Sequence, residues 1–365
     1  MPKSRTKIRP DLQANWTPTP LRALYEAEVV TGLKPYALAE LQDQFGTKVS
    51  IRDKDKAEEL PFEYDGNPYH LLQLSKTLAV YSVTHYPIPR PLALLGHQHF
   101  QALLRQISAV RNIYPEGRFK TFRISAAGAQ SSVFQRIRDE IAQATGLMYN
   151  DDEADLMLRV RKADIHPDGW EVLARLSPKP ISARAWRVCD MEGALNATIA
   201  SAMVAMTQPQ PEDRVLNIMC GSGTLMIERL AAGPLAVLGG CDTDPMALRC
   251  AAENLQASGH SDEFDLFEMD ATNLQLPDAC LDVLLGDLPW GQLVGSHEGN
   301  IRLYPLVLLE AARVAAPGAR AAFITHEIRL MEKVLGEMEH LWRLQDNIRV
   351  FQGGLHPRIY LLERV

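Results

Sequence analysis

The chain has 365 residues, 46% of them hydrophobic, and 38 Lys+Arg against 45 Asp+Glu give a formal net charge of -7. That length exceeds one comfortable core, so two or three domains are expected, and no run of roughly 18 uninterrupted apolar residues offers a membrane span. The charge is uneven: residues 1–185 carry 25 Lys+Arg against 21 Asp+Glu, and residues 186–365 carry 13 against 24, which suits polyanion contact in the first half and cofactor chemistry in the second.

The start, Met1-Pro2-Lys3-Ser4-Arg5-Thr6-Lys7, is basic, but no apolar stretch follows it, so no signal peptide is expected and a cytoplasmic location is. Arg22 to Val30 reads as a strand, and Leu33 to Phe45 as an amphipathic helix closed by Gly46. Short strands follow at Lys48 to Ile51 and Leu60 to Tyr64. A helical stretch is expected at Tyr69 to Leu74, a strand at Thr77 to Thr84 and a helix from His97 to Val110. This order suggests a ferredoxin-like α+β unit over residues 1–112. The three prolines of Pro87-Ile88-Pro89-Arg90-Pro91 form a rigid connector within it.

A second α+β unit is expected over residues 113–182. Its strands are Phe119 to Ser125, Leu156 to Val160 and Trp170 to Leu176, with a helix from Ser131 to Ala144 ended by Gly146. Arg105, Arg111, Arg118, Lys120, Arg123, Arg136 and Arg138 cluster here with Glu116 as the one acid among them. Tyr114, Phe119, Phe122 and Phe134 are interleaved. Cations beside aromatics suit RNA, where phosphates take the charge and unstacked bases find a ring; the bland reading makes the aromatics core and the cations solvated surface.

Residues 183–209 read as a linker and a connecting helix from about Met191 to Met206, and from Arg214 the pattern becomes the βαβ alternation of a parallel, doubly wound sheet over residues 210–365. The strand Val215 to Met219 runs into Cys220-Gly221-Ser222-Gly223, and a helix begins near Thr224. Glycines let a ligand approach the backbone, and the helix start supplies unpaired N–H groups. Asp242, at the end of the strand Ala236 to Cys241, is placed to accept from ribose hydroxyls. Asp270, followed by Ala271, ends Phe264 to Met269, where an acid can hold an adenine amino group, and a helix cap or a solvent ligand in a loop is the alternative. The fourth strand ends in Asp287-Leu288-Pro289-Trp290: a carboxylate, a rigid proline and a large ring able to hold a planar base by its exocyclic amine. The turn lacks the G-x-G-x-x-G pyrophosphate cradle, so S-adenosylmethionine is a better expectation than a nicotinamide cofactor. Arg320 to Thr325, then Ile348 to Phe351 and Arg358 to Leu362 flanking Gly353-Gly354, complete a seven-stranded methyltransferase sheet. Cys189, Cys220, Cys241, Cys250 and Cys280 contain no CxxC pair; they read as reduced thiols, and no metal site is expected.

These residues resemble the THUMP-domain RNA methyltransferases of the tRNA guanosine-N2 type. The N-terminal unit looks like that family's ferredoxin-like domain and Phe119 to Leu176 like its THUMP module. Ser182-Ala183-Arg184-Ala185-Trp186-Arg187 is similar to the exit from THUMP, and Gly193-Ala194-Leu195-Asn196-Ala197-Thr198 to the segment beside the methionine end of the cofactor. The resemblance implies a class I methyltransferase domain, tRNA as partner and N2-methylguanosine in the acceptor stem as product. For some eukaryotic members it also implies a small activating protein. Cofactor contacts are then expected from Asn196, Asn217, Cys220, Gly221, Ser222, Gly223, Thr224, Asp242, Asp270 and Ala271. Asp287 and the Pro289 carbonyl would accept the amine's hydrogens, and Trp290 would stack on the base. The chain departs from the family pattern at Asn217, where an acid is common, and in Asp-Leu-Pro-Trp, where Asn-Pro-Pro-Tyr is commoner. An amide at 217 accepts a hydrogen bond without charge assistance. The rival readings are an rRNA or adenine-N6 methyltransferase, a noncatalytic cofactor-binding RNA protein and a Rossmann oxidoreductase.

Overall fold

Two alternations of apolar residues, one in a mixed and mostly antiparallel sheet and one βαβ, give two compact units, which the computed structural model describes over residues 22–52, 56–164, 168–260, 263–292 and 295–365. The basic stretch Met1 to Lys7 lies outside the described residues. The first unit runs to Val29 and resumes over Ala37–Ile181; the second comprises Val30–Tyr36 and Ser182–Val365.

The first unit carries β1 (Ala23–Glu28), α1 (Lys34–Phe45), β2 (Val49–Ile51), β3 (Glu59–Tyr64), β4 (Ala79–Tyr86), α2 (His97–Arg111), β5 (Thr121–Ala126), α3 (Ser132–Thr145), β6 (Met148–Tyr149), β7 (Leu156–Lys162) and β8 (Trp170–Arg175). Its strands make one sheet in the order β2-β3-β1-β4-β8-β7-β5-β6. The boundary expected at residue 112 therefore falls inside a shared sheet, because β4 pairs antiparallel with β8 from Tyr81↔Arg175 to Tyr86↔Trp170. Gln106 of α2 ties that seam, donating to the carbonyls of Ser82 at 2.9 Å and Val172 at 3.0 Å. Phe62, Leu103, Phe122 and Leu158 share one buried cluster across it. The stretch expected as a helix from Tyr69 is a 3-10 turn, Pro68–Gln73, started by the Asn67 side chain accepting from the Tyr69 N–H.

The second unit carries α4 (Ala197–Met206), β9 (Arg214–Ile218), α5 (Thr224–Ala231), β10 (Val237–Asp242), α6 (Pro245–Ala257), β11 (Asp265–Glu268), β12 (Leu281–Asp287), α7 (His297–Val314), β13 (Ala315–Thr325), α8 (Ile328–Glu337), β14 (Trp342–Arg349) and β15 (Arg358–Arg364). The sheet order β11-β10-β9-β12-β13-β15-β14, in which β15 alone runs antiparallel to the rest, is that of a class I methyltransferase. Strands buried on both faces read as apolar runs, as Val283, Leu284 and Leu285 do in β12. Two expected bounds move. The connecting helix starts at Ala197 rather than Met191, because Gly193 sits at φ +79° and the Asn196 side chain caps the helix by accepting from the Thr198 N–H. The last hairpin strand starts at Trp342 rather than Ile348, its outer residues Arg343, Gln345 and Asp346 hiding it from an apolar pattern.

Candidate active site

Parallel strands direct their carboxyl ends to one edge of the sheet, and ligands bind there at the point where the strand order reverses, between β9 and β12. A cavity of about 760 Å³ opens at this edge, within the range of small-molecule sites. Asn217, Gly221, Asp242, Asp270, Asp287 and Trp290 all reach its wall.

Backbone geometry sets the floor of the cavity. The Cys220 N–H donates to the Cys241 carbonyl at 2.9 Å, which locks the turn to the neighbouring strand end. Gly221 then donates its N–H to Asp242 Oδ2 at 2.9 Å, and Asp244 donates to Oδ1 at 3.1 Å. The Asp242 carboxylate is thus held in place by backbone donors before any ligand arrives. Gly223, at φ +77°, has no space for a side chain: a Cβ would come 3.2 Å from the Ala251 Cβ. Its role is close packing, since it does not line the cavity; Ser222, Thr224 and Ala271 do. Thr224 Oγ1 also accepts from the Arg187 guanidinium at 3.0 Å. Burial pushes the Cys220 thiol well up, so it is neutral packing.

Asn217 is 1% exposed, and its amide nitrogen donates to the carbonyls of Ile218 and Leu285, each at 3.1 Å. Its oxygen, buried on the cavity wall, has no hydrogen-bond partner. A buried acceptor left open in this way costs free energy until a donor fills the site. Asp270 Oδ1 caps a turn through the Thr272 N–H and hydroxyl at 2.8 Å each, and the residue also lines the cavity. Asn196 is a correction. Its side chain is spent on the α4 cap, its N–H donates to Gln352 Oε1 at 3.1 Å, and it does not line the cavity. The stretch Met191 to Leu195 and the loop around Gln352 and Gly353 line it instead. Gly193 was the available signal for the first, whereas polar Gln352 offered none.

Asp287 ends β12 with its carboxylate enclosed, although the residue keeps some surface at the cavity wall. Desolvation raises its pKa from 3.8 to about 7, opposed by one hydrogen bond. That bond comes from the Trp290 indole N–H, 2.9 Å from Oδ1. The role expected for the Pro289 carbonyl is not open to it. That oxygen already accepts from Asn300 Nδ2 at 2.8 Å and the Tyr304 hydroxyl at 2.7 Å, which fills both lone pairs. Tyr304 also meets Thr325 Oγ1 at 2.5 Å, and Asn300 and Tyr304 are both buried, so Pro289 is anchored to the protein interior. Leu288, 1% exposed, lines the cavity in the same turn; its N–H is tied to Ile324, and among the described residues its carbonyl accepts no hydrogen bond.

Two further expectations need correcting. Cys189 and Cys250 are joined as a disulfide, while Cys220, Cys241 and Cys280 are free. Asn254 brings the pair together by accepting from the N–H groups of Val188 and Cys189 and donating to the Cys189 carbonyl, a proximity that linear spacing does not reveal. In the first unit, Phe119, Phe122 and Phe134 are core rather than stacking surface. Arg138 is 6% exposed, donates to Tyr149 and Gln135 and lies over the Tyr149 ring, so it is a structural cation. Arg111 donates to the Thr145 carbonyl and Arg123 to that of Asp152. Arg105, Arg118, Lys120 and Arg136 remain exposed.

Comparison with known proteins agrees with this geometry. Residues 184–358 match the family model UPF0020, described as RMKL-like, methyltransferase domain. A tRNA (guanine(6)-N(2))-methyltransferase THUMP3 from Bos taurus is 33% identical over 182 residues, 47% of this chain and 36% of that protein. The chain thus spans about a third of the length of such relatives. A tRNA (guanine(6)-N2)-methyltransferase from Thermus thermophilus is 28% identical over 64% of this chain and 68% of its own. The crystal structure of TrmN from Thermus thermophilus superposes with a TM-score of 0.73 at 23% identity, covering 94% of this chain and 99% of that one, a likeness of fold. Residues 184–358 of this chain are thus similar to the RMKL-like methyltransferase domain.

Proposed function

We propose that the protein transfers a methyl group from S-adenosylmethionine to the exocyclic N2 of a guanosine in the acceptor stem of tRNA. The observation that carries this reading is the enclosed Asp287 carboxylate, in a turn whose Leu288 and Trp290 line the same cavity as Asp242 and Asp270. The guanosine and the tRNA come from the relatives, whose names specify both.

The residues present fit the methyl donor. Asp242, held by backbone N–H groups, suits ribose hydroxyls, Asp270 with Ala271 suits an adenine edge, and the orphaned Asn217 oxygen suits an amino group. When bound, the donor supplies an electrophilic methyl group. The rest falls to the chain. A guanine amine is a poor nucleophile because its lone pair is delocalised into the ring. Accepting its two hydrogens on Asp287 and the Leu288 carbonyl aligns that lone pair, and positioning of this kind supplies several kcal/mol, roughly 7 in favourable cases. A carboxylate with a pKa of about 7 can also take the proton released at neutral pH. The base would leave its helix to reach this turn, at a cost of a few kcal/mol, and Trp290 offers it a ring.

The first unit supplies the RNA contacts in this reading, residues 1–112 as a ferredoxin-like portion and 113–182 as a THUMP module, with Arg105, Arg118, Lys120 and Arg136 on phosphates. Transfer of labelled methyl groups to bulk tRNA, followed by nucleoside analysis, tests the proposal and should give N2-methylguanosine. Label in N6-methyladenosine would move the assignment to adenine, and cofactor binding without transfer to tRNA or rRNA would make the chain noncatalytic. Repeating the assay in a cell extract reads out any need for a small activating protein.

A further inference from the structure

We propose that Trp290 is a positioning residue whose indole N–H holds the Asp287 carboxylate in one orientation, leaving the other oxygen to accept from the substrate amine. The inference rests on the guanosine-amine reading above and adds a role that ring stacking does not require.

Four observations carry it. The indole Nε1 lies 2.9 Å from Asp287 Oδ1, across a turn only four residues long. That turn cannot relax. The Leu288 N–H is tied to the Ile324 carbonyl at 3.0 Å, and the Pro289 carbonyl to Asn300 and Tyr304. Gly291, at φ +72°, closes the turn where a Cβ would fall 2.6 Å from Glu327 Oε1. Finally, no other side chain donates to the Asp287 carboxylate among the described residues, although several titratable groups surround the turn: Cys220 before α5, His297 and Tyr304 of α7, and His326 and Glu327 after β13. The terminal torsion of an aspartate is broad and soft, so a carboxylate without a donor samples many orientations. One fixed donor removes that freedom, and a hydrogen bond to a charged group is among the strong ones. The same bond opposes the desolvation that raises the Asp287 pKa.

Stacking and hydrogen bonding make different demands on residue 290. Trp290→Phe keeps an aromatic face and loses the N–H. Benzothienylalanine at position 290 keeps the full bicyclic outline and replaces only the N–H by sulfur. Each protein is compared with the wild type in kcat, KM for S-adenosylmethionine and tRNA, and the pH profile of methyl transfer. The expected result is a kcat about tenfold or more lower in both, the size of losing one hydrogen bond to a charged group, with KM for the methyl donor unchanged. The acidic limb of the profile moves to higher pH, since the bond that favoured the ionised carboxylate is gone. If benzothienylalanine keeps wild-type kcat and pH profile, Trp290 acts by its ring alone and the proposal is wrong. A readout independent of turnover is the infrared carboxyl band of Asp287, identified by difference from Asp287→Asn. It should titrate at higher pH in both variants, and an unmoved titration overturns the proposal. If the wild type methylates no guanosine, the guanosine reading fails by itself, and the infrared titration still decides the role of Trp290.

Discussion

At the scale of single residues, Asn217 changes meaning once its surroundings are known. By sequence it is a departure from the pattern of the family it resembles, an amide where an acid is expected. In the fold its nitrogen serves two backbone carbonyls that no carboxylate could satisfy. Asn217→Asp should therefore lose stability, by about 2–4 kcal/mol for a buried charge facing unpaired acceptors, and not gain affinity. Chemical denaturation checks this, and an unchanged midpoint would show that the site relaxes. Asp287 makes the opposite case, because its type and place were legible from the apolar run that precedes it. Its raised pKa has a definite sign in stability. Between its ordinary 3.8 and about 7 the folded protein holds a proton that the unfolded chain has released, so stability falls as pH rises through that window. Asp287→Asn removes this dependence and should narrow the difference in Tm between pH 4 and pH 8. It should also cut methyl transfer roughly 10–100-fold, since an amide replaces a charged acceptor and turns a donor toward an amine.

At the scale of elements, legibility follows periodicity. The strands of the second unit that are buried stood out as apolar runs, and their carboxyl-terminal acids located Asp242 and Asp287, whereas Asp270 follows the exposed edge strand β11. Strand β14 did not stand out, because an edge strand with polar outer residues carries no such run. The anchoring of Pro289 was equally illegible. It joins α7, the end of β13 and the turn after β12, residues that meet only in three dimensions. The assignment of the Pro289 carbonyl failed for this reason: sequence shows which carbonyls exist and not which are already bonded. This arrangement predicts that Tyr304→Phe, which deletes one hydroxyl from a buried position, lowers stability by about 1–2 kcal/mol and frees the Pro289 carbonyl to compete for the amine. The expected signature is a kcat reduced several-fold with cofactor affinity unchanged by calorimetry. Equal loss of both would mark a general disturbance of the cavity instead.

At the scale of the whole molecule, the tRNA binding proposed for this acidic protein requires it to concentrate its cations, and the first 185 residues hold 25 of the 38. The fold then sorts them by exposure, a distinction that the linear cluster from Arg105 to Arg138 concealed. Arg138 faces inward with hydrogen-bonding partners, whereas Arg118, Lys120 and Arg136 are exposed. These two classes should separate in a salt titration. Each phosphate neutralised contributes about 0.7–0.9 to the slope of log K against log salt, so replacing Arg118, Lys120 and Arg136 together by glutamine should flatten that slope by about two. Their loss should leave Tm and cofactor affinity unchanged, because nothing buried is disturbed. Arg138→Ala should do the reverse, lowering Tm by uncovering the Tyr149 ring and removing one of its hydroxyl's partners while the salt slope stays as it was. A flat response from the triple variant would move the tRNA-binding surface elsewhere on the chain, and a slope change in Arg138→Ala would mean that the α3 face opens when RNA binds.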